Sequence, residues 1–137
     1  LEFRRVLFRS PGGMVTSGMV IYDTMQLISS PVSTICMGMA ASMGSILLSG
    51  GKKGRRFIFP HAEVMIHQPS GGGRGTSADL EIMAAQMMKT KEMGARLLAE
   101  NCNQSFDKIM KDFDRDYWMD AKDSISYGIV DEIVVKI

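Results

Sequence analysis

At 137 residues the chain is long enough for one domain with a buried core, and its 45% apolar content is ordinary for a globular protein. The 16 Lys and Arg against 15 Asp and Glu leave a formal charge of +1, which excludes a strong overall field favouring nucleic acid or an anionic membrane. Cys36 and Cys102 are too few for a disulfide framework, no Cys/His cluster has metal-ligand spacing, and a reducing compartment is the simpler reading.

In chain order, residues 1–10 space Arg4, Arg5 and Arg9 among large apolar groups but lack the apolar region and small-residue cleavage site of a signal peptide. They read as an appended or misread end, so residues 1–9 are set apart as a leader unrelated to the domain at 10–137, with little before Pro11 to begin a sheet. Pro11-Gly12-Gly13 signals a turn, and Met19, Tyr22, Met25 and Leu27 predict a helix over 18–28. Ser29-Ser30-Pro31 stops it, and a short β-branched run over 32–37 suits a fully buried strand. No residue from 24 to 51 is charged, yet Pro31 and the scattered glycines and serines interrupt the apolar character, which favours a buried strand leading into a buried helix over a membrane span.

A short helix over 43–49 ends at Gly50-Gly51. Lys52-Lys53-Gly54-Arg55-Arg56 reads as a solvated turn, because no phosphate-loop motif accompanies it and no aromatic residue interleaves the cations. Strand-like runs over 56–59 and 64–67 flank Pro60-His61-Ala62. Gly71-Gly72-Gly73-Arg74-Gly75 is a loop, after which Thr76 or Ser77 caps a long helix reaching residue 101, with Asp79 and Glu81 in its first turn. Its apolar surface is wider than one core-facing stripe needs, which points to a partner subunit. Helices over 106–113 and 120–127 and a strand over 129–135 close the chain. The alternation of strands and helices predicts an α/β fold with a mostly parallel sheet and covering helices.

The chemistry gathers in Gly38-Met39-Ala40-Ala41-Ser42-Met43-Gly44, where a strand hands over to a helix and one hydroxyl stands among small residues. A serine needs a base to remove its proton, and backbone N–H groups nearby to hold an oxyanion. The Met43 amide and, from the glycine turn, Gly13 are candidates for the second task. With only two histidines, the base is His61 or His67. Spacing leaves the third member open among Asp107, Asp112, Asp114, Asp116, Asp120 and Asp123. The order Ser, His, Asp along the chain differs from the chymotrypsin, subtilisin and α/β-hydrolase orders and disfavours those families.

Taken in order, Ser10-Pro11-Gly12-Gly13, Ile21-Tyr22-Asp23-Thr24-Met25-Gln26, the stretch around Ser42, Met65-Ile66-His67-Gln68-Pro69 and Arg115-Asp116 through Tyr127-Gly128 resemble the proteolytic subunits of the Clp protease, the ClpP family, from residue 10 onward. The resemblance implies a Clp-protease/crotonase-like fold with a protruding handle made of the long helix and the glycine-rich segment before it as a strand. It implies Ser42 as nucleophile, His67 as base and Asp116 as the group orienting it, with Gly13 and Met43 as oxyanion-hole amides. It further implies an extended substrate peptide paired with Met14 and with Pro69, Ser70, Gly71 and Gly72, and Arg115 in a contact within the ring. The expected protein is a serine endopeptidase without cofactor that cleaves unfolded polypeptide. Family resemblance also implies two stacked heptameric rings of identical copies, fed by an AAA+ unfoldase that consumes the ATP, with no nucleic-acid or membrane partner. The compartment expected is the bacterial cytoplasm, with plastid stroma or mitochondrial matrix as alternatives. A crotonase-type enzyme is the competing reading, and an intact Ser-His-Asp set argues against it.

Overall fold

The computed structural model describes residues 4–136, so positions 1–3 of the expected leader and position 137 of the expected domain lie outside the described residues. Everything is organised around one long strand, β2 (Val32–Ala41). β1 (Arg4–Ser10) runs parallel to it, pairing from Arg4 with Val32 to Phe8 with Cys36. The register then jumps to Ser10 with Ala40, and Gly38, with φ 82°, takes up the resulting bulge. β3 (Arg56–Ile58) pairs with the first half of β2 and β4 (Glu63–Ile66) with its last three residues, both parallel. β5 (Tyr117–Met119) lies antiparallel on β4, and β6 (Glu132–Ile133) parallel on β3. The order is β5-β4-β2-β3-β6, with β1 also on β2.

Two of these strands escape the sequence reading. All of β1 but Ser10 falls within the segment read as a leader, yet Phe8 belongs to the core and Val6 packs against it while Arg5, Leu7 and Arg9 face outward. That is the period of two of a strand, and the interspersed arginines hide it. β5 is three residues long, too short for alternation to register. The closing strand, expected over 129–135, contracts to two residues.

The helices agree more closely with expectation. α1 (Val15–Leu27) starts three residues before the predicted position, and α2 (Met43–Ser49) has the predicted bounds. α3 (Ser77–Cys102), α4 (Phe106–Asp112) and α5 (Ala121–Tyr127) follow. Thr76 caps α3 in a reciprocal box with Asp79, whose carboxyl the Thr76 hydrogen bonds hold below its ordinary range. Asn103 ends α3 in the left-handed region at φ 54°, a conformation Asn tolerates better than most side chains. From Val32 to Ser49 the uncharged stretch is a largely buried strand running into a buried helix, and among the described residues no helix is long and apolar enough to cross a membrane. The core gathers Leu48, Ile58, Val64, Ile66, Leu98, Ile109, Phe113 and Ile129, each worth about 1.5–3 kcal/mol of burial as an upper bound.

Arg56 departs from the solvated turn assigned to it. Lys52, Lys53 and Arg55 are exposed, but Arg56 is 4% exposed and its guanidinium grips Asp131 through Nε at 3.0 Å and Nη2 at 2.6 Å. Its Nη1 donates to the carbonyls of Ser49 and Asn101. The run of cations concealed one with a carboxylate partner 75 residues away. Burial acts to raise the Asp131 pKa, but the hydrogen bonds and charge of Arg56 and the Gly54 amide outweigh it and hold the carboxyl below its ordinary value.

α3 is unevenly anchored. Its buried residues are Gly94, Ala95, Leu98 and Cys102, all in its last third, whereas Leu80, Ile82, Met83 and Met88 stand exposed. The segment 69–75 is no strand, contrary to the expected handle; it runs back along α3, with Gly71 against Met87 and Gly73 against Met83. A side chain at Gly73 would collide with Met83.

Candidate active site

Sheet register brings the site together. β2 and β4 are parallel, with Ala41 beside Met65, so both strands deliver their next residues to one end of the sheet. Ser42 is the residue after β2, and its amide donates to the Met65 carbonyl at 2.9 Å, one last rung of the ladder. His67 is the residue after β4. On the far side of β4 the antiparallel β5 pairs Ile66 with Tyr117, and continuing that register by one residue sets His67 opposite Asp116. Three residues far apart in sequence thus meet at one edge.

Their side chains are hydrogen-bonded in series. His67 Nε2 lies 2.7 Å from Ser42 Oγ, and His67 Nδ1 lies 3.0 Å from Asp116 Oδ1. With the imidazole proton on Nδ1 and donated to Asp116, Nε2 is free to accept from the serine hydroxyl. The His67 side chain is 26% exposed and that of Asp116 61%, so the row opens to solvent at its carboxylate end. His61, the alternative base, is exposed in the turn between β3 and β4 and has no part in this chain of bonds.

Ser42 is held in an uncommon backbone state, φ 54° and ψ −124°, which turns its side chain out of the strand-to-helix corner. A non-glycine residue at positive φ stores on the order of 1–3 kcal/mol of strain and needs support from its surroundings. Ser45 supplies some of it, donating from both its amide and its Oγ to the Ser42 carbonyl at 3.0 and 2.6 Å. Gly12 supplies the rest from the opposite side: a Cβ there would sit 2.6 Å from Ser42 Cβ and 3.1 Å from its Oγ, and Gly12 itself has φ 102°. Glycine alone fits, and the Gly12 amide is tied back to Ser10 Oγ at 3.2 Å.

Of the other residues singled out, Met43 is the first residue of α2, and its side chain packs on Gly18 of α1. Gly13 is exposed next to the Gly12 contact, and Met14 is exposed immediately before α1. Pro69 lines a cavity of about 30 Å³ beside Ser42 and His67, whereas Ser70, Gly71 and Gly72 are exposed and do not line it. Arg115 is exposed, its Nη1 donating to the Asp114 carbonyl at 3.3 Å.

Sequence reasoning missed Gln68. Its amide donates to the Phe113 carbonyl at 2.6 Å and its Nε2 to the Asp114 carbonyl at 2.7 Å, so the residue after His67 fastens the segment that leads into Asp116. Its adjacency to His67 was the available signal. Cys36 and Cys102 are free thiols pushed up to about 12 by burial, and neither lines the cavity at Ser42. Among the described residues no group of His, Cys, Asp or Glu side chains could hold a metal ion.

The α/β sheet ends in a hydrogen-bonded Ser-His-Asp row at a strand-to-helix corner, an arrangement that recurs on unrelated folds. The Clp protease family model matches residues 5–136, and the chain belongs to the Clp protease family. Among curated proteins it is 51% identical over 131 residues to the ATP-dependent Clp protease proteolytic subunits of two strains of Bacteroides fragilis. The match takes in 96% of this chain but 63% and 60% of those relatives, so the chain spans about three fifths of their length.

Proposed function

We propose that the protein is a serine endopeptidase subunit in which Ser42 is the nucleophile, His67 the general base and Asp116 the residue that orients His67. The observation that carries this reading is the unbroken pair of hydrogen bonds from Ser42 Oγ to His67 and from His67 to Asp116. His67 Nε2 takes the hydroxyl proton as Ser42 Oγ bonds to the scissile carbonyl carbon, then returns it to the departing amine as the acyl-enzyme forms. Water repeats the sequence to free the acid. Asp116 steadies the imidazolium in both halves. The amides of Met43 and Gly13 receive the oxyanion, each donor contributing about 3 kcal/mol in related sites. The extended peptide pairs with the backbone at Met14 and along Pro69, Ser70, Gly71 and Gly72, a mode that reads backbone more than side chains.

The substrates are unfolded polypeptides and short peptides, and the working form is two stacked heptameric rings of this subunit around a closed chamber. The exposed apolar stretch of α3 supports ring-to-ring packing, and the exposed Arg115, next to Asp116, supports a contact that links assembly to the site. An AAA+ unfoldase supplies the chains and spends the ATP, in keeping with the words "ATP-dependent" in the relatives' names. The bacterial cytoplasm fits the source of those relatives and the two free cysteines. A fluorophosphonate probe tests the reading: it labels Ser42 in the unmutated protein, and labelling and peptide hydrolysis vanish together in Ser42→Ala. Labelling elsewhere, or unchanged hydrolysis in Ser42→Ala, overturns it.

A further inference from the structure

The peptide unit that joins Ser42 to Met43 has two ends with different tasks. Its N–H is the Met43 amide, which receives the oxyanion in the reading above, and among the described residues that amide donates to no backbone carbonyl. Its C=O belongs to Ser42 and is held by one residue, Ser45, whose amide donates at 3.0 Å and whose hydroxyl donates at 2.6 Å. Ser45 is 1% exposed and does not line the cavity beside Ser42, so its hydroxyl is out of a substrate's reach.

The peptide plane is rigid and trans, so whatever fixes the direction of the C=O also fixes the opposite direction of the N–H. A carbonyl that accepts a hydrogen bond polarises its whole peptide unit and makes the N–H a stronger donor, by about 10–30% per bond. The amide bond from Ser45 is one that a first helical turn commonly supplies. The hydroxyl bond is the additional element. Ser49, one turn further along α2, makes the same kind of bond by donating to the Ile46 carbonyl at 2.7 Å, but at a peptide unit with no part in the proposed reaction. The two serines therefore separate a hydroxyl that only steadies the helix from one that acts on the reacting corner.

We propose that Ser45 is a positioning residue for the hydrolysis: its hydroxyl aims and polarises the Ser42–Met43 peptide unit so that the Met43 N–H is a stronger oxyanion donor. This rests on Ser42 being the acylating hydroxyl and Met43 a donor to the oxyanion. The effect belongs to the steps that build negative charge on the substrate carbonyl oxygen, acylation and deacylation, and does not pass through His67.

The test compares Ser45→Ala with Ser49→Ala in the full chain. Removing a whole oxyanion donor costs about 10²–10³ in kcat, so removing one polarising bond behind it should cost about two- to fivefold. Ser45→Ala is expected to lower kcat by that factor at unchanged KM, and to weaken binding of a peptidyl boronate, which mimics the tetrahedral species, by the same factor. The pH midpoint of kcat/KM stays in place, since His67 keeps both its partners. The infrared stretch of a carbon-13-labelled acyl carbonyl on Ser42 moves to higher wavenumber, the mark of a weaker hydrogen bond to its oxygen. Ser49→Ala lowers the melting temperature but leaves each of these readings as in the unmutated protein. An unmoved carbonyl stretch in Ser45→Ala, a rise in KM at constant kcat, or equal effects in the two variants overturns the role of Ser45 while Ser42 still acylates. Absence of any acyl species on Ser42 in the unmutated protein overturns the serine reading and this inference with it.

Discussion

Two polar clusters stand at the two ends of β2, and they are built on opposite plans. Near its start, at the β3 strand beside Thr34, Arg56 is closed in: Nε, Nη1 and Nη2 all have acceptors, and the cluster ties β3 to Asp131, α2 and the end of α3. Just past its last residue, Ser42, His67 and Asp116 are also bonded in series, but the series is left open to solvent and its first member is held at positive φ. A cluster that satisfies itself completely stabilises a fold. One that keeps accessible groups and a strained corner has capacity left over for another molecule.

Substitutions can break this contrast. Ser42→Ala is expected to lower kcat by about six orders of magnitude, as when the nucleophile of such a triad is removed, with the melting temperature equal or higher because alanine keeps the corner. Asp116→Asn should cost about four orders, the loss known for the wrong imidazole tautomer, again with little change in melting. Arg56→Ala acts the other way round: it leaves Asp131 without its guanidinium partner and costs about 3–5 kcal/mol by urea unfolding. Replacing Arg56 and Asp131 together by Met and Leu recovers most of that stability, because no unpaired charge remains. Retention of full stability in Arg56→Ala would mean that the cluster is ornamental.

Gln68→Ala lies between the two plans. The bond to the Asp114 carbonyl is worth about 1 kcal/mol of stability, but its loss frees the segment entering Asp116. A roughly tenfold fall in kcat at unchanged KM is expected, read together with loss of the downfield NMR signal of the proton shared by His67 and Asp116. The smallest effect is one of pH. The folded pKa of Asp131 lies below its unfolded value near 3.9, so its contribution is complete above that value and is lost as pH falls through the lower folded one. Melting temperature should therefore drop more steeply from about pH 5 downward in the parent than in Asp131→Asn.

How legible was this in the sequence? Ser42 was conspicuous because small residues surround it, and His67 because histidines are scarce. Asp116 could not be separated from five other aspartates by spacing, since what selects it is the pairing of Ile66 with Tyr117 on a strand too short to announce itself. Only the family resemblance named it beforehand. Arg56 was misread because its partner is 75 residues distant and its neighbours are truly exposed. The strand at Arg4–Ser10 was overlooked because charged side chains on its outward face resemble a foreign leader. The glycine-rich segment before α3, expected as a strand, stays irregular, because Gly71 and Gly73 close against methionines and not against another backbone ladder.

The amide of Ser42 is itself a rung between β2 and β4. A molecule covalently attached to that serine would consequently tug on the sheet's own stitching. Deuterium uptake at Ser42 should slow when the hydroxyl is blocked by a tight adduct, and sheet fraying should silence the hydroxyl at the same moment that it loosens the strands. Reactivity and cohesion at this corner share a single thread.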